Sequence, residues 1–303
     1  MDSNRLYKDM LPIGTVLNDR YEIREQIGRY GFEQEYRALD WNRGLECRLR
    51  EFFMHCQVKR TNGEMEVQLP YDRRMQREYE NSLRSFFDTA CLAGRVQGKP
   101  NILSVYDVFR ENNTAYYVSE AVKAVDLQTY CKPKGCLEED EIKYIASQLC
   151  RALKELHQES ILHLNVIPGH ILICLDKEAG DNVKLVVNRE CKLIDKDFKD
   201  KYGPMICCMY PGYCPPEIYE SPNQLGTWTD VYMLGATMYE MATGRRIDEA
   251  INRYICDNTE TPHELNPQIS KRFSDIIMRA IALKRRKRYR DEERLIRDMG
   301  GRL

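Results

Sequence analysis

The 303-residue sequence predicts an α+β chain of two lobes: a strand-rich first part with one main helix, then a mainly helical second part. Three observations predict it. Residues 12–60 alternate apolar and polar side chains between short turns. Residues 137–157 carry apolar side chains at the helical period. Residues 229–243 and 269–283 repeat that helical period further on. The length suits one unit of about 250–300 residues or two modest domains. A composition of 43% hydrophobic and 31% charged residues is an ordinary globular balance.

The elements follow in order. Tyr21–Gly28 reads as a strand that runs into a turn at Arg29-Tyr30-Gly31. Residues 74–95 read as a helix with Phe86, Phe87, Ala90, Cys91 and Leu92 on neighbouring faces, and Lys99-Pro100-Asn101 breaks it. Residues 102–122 read as a hairpin turning at Glu111–Asn113. Asn112-Asn113-Thr114, a glycosylation sequon in form, is read as that turn. Within Leu137–His157, the residues Ile142, Ile145, Ala146, Leu149, Ala152, Leu153 and Leu156 make one apolar face. Residues 161–195 are strand-like, with a polar loop at Glu178–Asn182. Residues 196–227 are rich in Pro, Gly and Tyr and read as irregular. A short charged helix closes the chain, and neither an internal repeat nor a low-complexity linker interrupts it.

Charge narrows the function classes. The chain has 46 basic and 47 acidic side chains, so bulk attraction to nucleic acid or membrane is not expected. No run of about 18 apolar residues could span a membrane. The opening MDSNRLYKDM carries charge where a secretory signal needs an apolar stretch. A cytoplasmic location is therefore expected, with the twelve cysteines, Cys207–Cys208 included, as reduced thiols. No Cys-x-x-Cys pair marks a zinc knuckle.

Four stretches carry chemistry: RYEIREQIGRYGFEQEYRALD, ILHLNVIPGHILI, CKLID and PGYCPPEIYESPNQLGTWTDVYMLGATMYEMATGRR. In that order they resemble the bacterial, eukaryotic-like (Hanks-type) Ser/Thr protein kinases, from about residue 12 to residue 298. The resemblance implies a bilobal protein-kinase-like fold. It implies a lead-in at 1–20, an N-lobe at 21–121, a C-lobe at 122–298 and a tail at 299–303. It also implies scaffolding roles for four residues. Glu217 should pair with Arg288, Asp230 should hold the catalytic loop, and His163 should pack beneath that loop.

At the positions that the family uses for phosphoryl transfer, the chemistry has changed. The three glycine positions of the phosphate loop read Gly28, Tyr30 and Glu33, with Gly31 left to make a tight turn. A tyrosine blocks close approach, and Glu33 sets a negative charge where phosphates would lie. The adenine roof reads Glu35 and Arg48, and a salt bridge between them is expected to fill that slot. Ser119 and Glu120 complete the nucleotide side. The ATP-contacting lysine falls on Arg50 and its helix glutamate on Asp88, an Arg–Asp pair expected to brace the helix. In the catalytic loop, Asn165 stands where an aspartate would act as base, and an amide has no useful basicity. Leu164 replaces an arginine, and His170 replaces the second metal ligand with an imidazole that suits Mg²⁺ poorly. Asp195 is the one metal ligand retained, followed by Lys196 and Asp197 in place of phenylalanine and glycine.

The resemblance and its losses together imply a pseudokinase. Its expected role is a protein-binding scaffold or allosteric partner, with an active kinase as one such partner, no nucleic acid and no required cofactor. One alternative is a divergent phosphotransferase that binds ATP and Mg²⁺ weakly through Arg50 and Asp195. Another is a non-catalytic ligand sensor. The basic run Lys284–Arg290 is read as a solvated helix end. The tyrosines of Tyr202–Tyr219 are read either as a docking surface or as packing on the large lobe. Residues 196–216 contain no Ser or Thr, so phosphorylation of such a residue cannot switch that segment.

Overall fold

The computed structural model describes residues 9–61, 64–175, 182–187, 191–193, 210–220 and 224–301. The chain divides into two compact units: Met1–Gln97 with Leu103–Val122, and Gly98–Ile102 with Lys123–Leu303.

The first unit is built on strand alternation. Its six strands are β1 (Val16–Leu17), β2 (Tyr21–Tyr30), β3 (Glu33–Asp40), β4 (Leu45–Phe52), β5 (Val105–Glu111) and β6 (Thr114–Glu120). They form one antiparallel sheet in the order β1-β2-β3-β4-β6-β5. Successive strand side chains point to opposite faces. Tyr36, Ala38, Cys47 and Leu49 therefore share one face and pack with Leu17, Tyr21, Ile23, Tyr116 and Val118. Asn112 and Asn113, at φ 54° and 60°, make the two-residue turn between β5 and β6.

Helix α1 (Arg73–Arg95) starts where the Asp72 carboxylate accepts the Arg74 and Met75 N–H groups, each at 2.9 Å. Its face of Tyr79, Phe86, Thr89, Ala90 and Ala93 is buried, and Phe52, Phe53 and Val67 join Tyr79 and Phe86 in a second core.

In the second unit, β7 (Ala124–Asp126), β9 (Ile171–Cys174) and β10 (Val183–Leu185) form a small antiparallel sheet. β8 (Ile161–Leu162) pairs with β11 (Lys192–Leu193). Its helices are α2 (Leu127–Cys131), α3 (Glu139–Gln158), α4 (Pro216–Glu220), α5 (Thr227–Thr243), α6 (Ala250–Ile255), α7 (Pro262–Leu265), α8 (Lys271–Ala280) and α9 (Glu292–Asp298). Helix α3 carries Glu139, Asp140 and Glu141 in its first turn and His157 in its last, matching the helix dipole at both ends. Helix α5 is apolar almost all round and is the buried centre of this unit.

Two expectations shift. The hairpin between β2 and β3 turns at Gly31-Phe32, one residue later than read, because Tyr30 still pairs with Glu33. Gly31 at φ 60° supplies the left-handed first position of that two-residue connection. The basic run is not a helix end. Arg285–Lys287 forms a single 3₁₀ turn after α8, and Arg288 and Tyr289 are buried. Among the described residues, no helix is long and apolar enough to cross a membrane.

Candidate functional site

The sheet alternation that buries Tyr36 and Leu49 sends Glu33, Glu35, Arg48 and Arg50 to the other face. The register sets Glu35 opposite Arg50, and Arg37 opposite Arg48. Arg50 Nη1 lies 3.2 Å from Glu33 Oε2, and Arg50 Nη2 lies 3.4 Å from Glu35 Oε2. Arg48 Nη1 lies 3.6 Å from Glu35 Oε1. The expected Glu35–Arg48 bridge is present, but Glu35 sits closer to Arg50. Burial opposes the charge on Arg50, yet Tyr117, Glu33 and Glu35 outweigh it and hold the guanidinium above its ordinary value.

The connection between β2 and β3 is a regular hairpin up to its tip. Gly28 pairs with Glu35, and the Phe32 carbonyl accepts the Phe53 N–H at 2.7 Å. The Tyr30 ring lies over the Arg50 guanidinium, 5.9 Å from centroid to Cζ. The same ring folds back on Gly28, where an added Cβ would sit 3.7 Å from it. Ser119 is buried on β6 opposite Arg48, and Glu120 Oε1 accepts the Ser104 N–H at 2.8 Å.

The expected Arg50–Asp88 pair does not form. Asp88 is exposed on α1 and makes no ion pair with Arg50. The inward face of α1 carries Thr89 and Phe86, which places Asp88 off that face, and Arg50 is already held by the two strand carboxylates.

A second polar cluster, missed in the sequence, lies on the opposite face of the sheet. Glu51 and Arg60 form a buried ion pair. The hydroxyls of Tyr36 and Tyr116 each donate to Glu51 at 2.8 Å, and Arg60 also donates to the carbonyls of Asp9 (2.7 Å) and Met65 (2.9 Å). The available signal was Glu51 two residues after Leu49. A carboxylate in register with a core position needs a buried partner.

In the second unit, Asp230 organises the loop after β8. Its carboxylate accepts the N–H groups of His163 (2.9 Å) and Leu164 (2.7 Å). This holds Leu164 at φ 57°, a backbone region that costs about 1–3 kcal/mol for a residue with a side chain. His163 is buried. Its Nε2 donates to the Val186 carbonyl at 2.9 Å, and its Nδ1 accepts the Asn165 N–H at 3.3 Å. His170 Nδ1 donates to the Asn165 carbonyl at 3.3 Å, and its ring meets Tyr210 edge-on. Asn165 Nδ2 is buried without a hydrogen-bond partner among the described residues.

Glu217 and Arg288 form the expected pair, at 2.6 Å and almost wholly buried. His157, which the sequence did not single out, bridges Asp230 (2.9 Å) and Glu292 (2.8 Å). Burial disfavours its charge, but the two carboxylates prevail and raise it to about 9, so both ring nitrogens donate at neutral pH. Tyr213 is buried and donates to Glu240, with Arg246 stacked on its ring, so at this position the packing reading holds. Asp195, Lys196, Asp197, Tyr202, Cys207 and Cys208 lie outside the described residues.

The sequence pattern of the protein kinase domain matches residues 73–296. The chain belongs to the protein kinase family. The matched span starts at α1, so the hairpin of Gly28–Glu33 and the strand of Arg48 and Arg50 precede it. A probable serine/threonine-protein kinase of Clostridium acetobutylicum is 28% identical over 300 residues, covering 95% of this chain and 40% of that protein. The probable serine/threonine-protein kinase PknB of Lactococcus lactis is 23% identical over 296 residues, covering 96% of this chain and 43% of that protein. The human serine/threonine-protein kinase tousled-like 1 is 26% identical over 305 residues, covering 95% and 37%. The chain thus spans about two fifths of the length of these kinases. Among solved structures, the apo form of PpkA-294 superimposes with a TM-score of 0.82 at 25% identity, covering 96% of this chain and 99% of that one. The kinase fold, a β-rich first lobe and a helical second one, is the fold of this chain.

Proposed function

We propose that this kinase-family chain is a pseudokinase that serves as a protein-binding scaffold or allosteric partner, an active kinase being one partner of that kind. One observation carries the reading: Arg50 is bound by two carboxylates of its own sheet and roofed by Tyr30. In the family, that position is a lysine that pairs with a helix glutamate and contacts the nucleotide. Here Glu33 and Glu35 match Arg50 and Arg48, so the face that would receive a triphosphate offers it no surplus positive charge.

The side chains at the remaining positions fit Mg-ATP no better. Asn165 offers an amide where a base is needed. His170 offers an imidazole nitrogen, already donating to a carbonyl, where Mg²⁺ prefers oxygen. No step of phosphoryl transfer is therefore derived. The contrary reading, an altered phosphotransferase, is favoured by the intact frame of His163, Asp230 and Glu217–Arg288. A radiolabelled ATP assay on the whole chain, with a generic protein substrate and with the chain itself, separates the two. The scaffold reading expects no transfer above an Asn165→Ala, Asp195→Ala control. Transfer that this double change abolishes would establish the phosphotransferase instead.

A further inference from the structure

We infer that helix α6 and the basic turn after α8 together form a docking site for an acidic peptide segment of a partner protein. Helix α6 turns Ala250 and Arg253 inward, where the Arg253 guanidinium donates to the Tyr232 hydroxyl and the Ile281 carbonyl. Its outward stripe is Ile251, Tyr254 and Ile255, at i, i+3 and i+4, with relative exposures of 48%, 56% and 83%. Three large apolar side chains on one exposed face of a six-residue helix are costly to leave in water.

Tyr254 also lines a cavity of about 470 Å³ together with Pro216, Glu217, Glu220, Lys284 and Arg286. The charges of that cavity do not cancel. Glu217 is already matched by the buried Arg288. Lys284, Arg285 and Arg286 are exposed, and none has an ion pair among the described residues. Arg285 donates to the Gln224 carbonyl and stacks near the Trp228 ring. Among the described residues, Glu220 is the one other carboxylate on the rim. Three cations against one acid, beside an apolar helical stripe, match a segment that carries acidic residues around an apolar anchor. A nucleic acid would answer the cations but leave Ile251 and Ile255 uncovered.

The test uses the whole 303-residue chain and an array of synthetic 12-residue peptides. In each, Asp and Glu flank one varied apolar residue. Control peptides carry Lys for the acids, or Ala for the anchor. Retention of the acidic, anchored peptides alone is expected. The best of them, fluorescein-labelled, should bind in an anisotropy titration that weakens as salt rises. Lys284→Glu with Arg286→Glu should weaken it at least tenfold, and Tyr254→Ala at least fivefold. These side chains are exposed, so the melting temperature should stay within a degree or two. Ile255→Asp is a second, independent variant that should weaken binding. The proposal is overturned if no acidic peptide is retained or if the variants bind it equally. It is also overturned if polyuridylate or phosphatidylglycerol vesicles bind with no effect of Tyr254→Ala. A dimer in sedimentation that Ile255→Asp dissociates and the peptides do not would assign the face to a second copy, again against the proposal.

Discussion

Glu35 is buried, but its partners Arg50 and Arg48, and Glu33, are partly exposed, and pairs that reach water in this way are worth about 0–1 kcal/mol each. Their effect is to occupy and to neutralise a surface rather than to hold the fold. Glu35→Val with Arg48→Ala should therefore change unfolding free energy in urea by less than about 1 kcal/mol. The buried pair of Glu217 and Arg288 is different. Arg288→Met strands a buried carboxylate and should cost about 3–5 kcal/mol in the same measurement. His157 gives a pH dependence. Its value rises from the usual 6.5 to about 9, so its stabilising effect is complete below pH 6.5 and is lost as pH climbs through 9. At about 1.4 kcal/mol per unit, the loss is on the order of 3 kcal/mol. Urea unfolding at pH 6 and pH 10 should show it, and His157→Gln should flatten it. The sequence made Glu35–Arg48 and Glu217–Arg288 legible because both rest on residue identity. It misplaced the partner of Arg50. The helical phase that sets Asp88 outward and the strand register that sets Glu35 opposite Arg50 are three-dimensional facts.

At the scale of elements, the apolar periods named the long helices and the hairpins to within about three residues. Period and capping are local properties, as Asp72 before α1 and Asn112-Asn113 between β5 and β6 show. What the periods could not reveal was closeness between elements. Helix α5 packs on α8 at Gly235, where an added Cβ would lie 2.6 Å from the Ala280 Cβ and 3.0 Å from Ile281 Cγ2. Gly235→Ala should force the two helices apart and cost about 1–3 kcal/mol, read as a lowered melting temperature. The basic turn at Arg285–Lys287 escaped for a related reason. Arg288 is drawn inward by Glu217, the pair that the resemblance implied, and Tyr289 by Asp298, which no local pattern in the sequence announces.

At the scale of the whole molecule, a kinase fold is present, and Glu33, Glu35, Arg48 and Arg50 pair with one another on one face of its first sheet. Asp230 holds the loop of His163 and Leu164, and Glu217 meets Arg288, in the second unit. The most direct test is thermal unfolding of the chain with millimolar ATP and Mg²⁺, with EDTA in a parallel sample. A ligand present at about 100 times its dissociation constant adds roughly 2.7 kcal/mol, a shift of a few degrees in a protein of this size. The account predicts the same melting temperature in all samples. A Mg²⁺-dependent rise of a few degrees would contradict it and would show that Arg50 gives up Glu33 and Glu35 for a nucleotide.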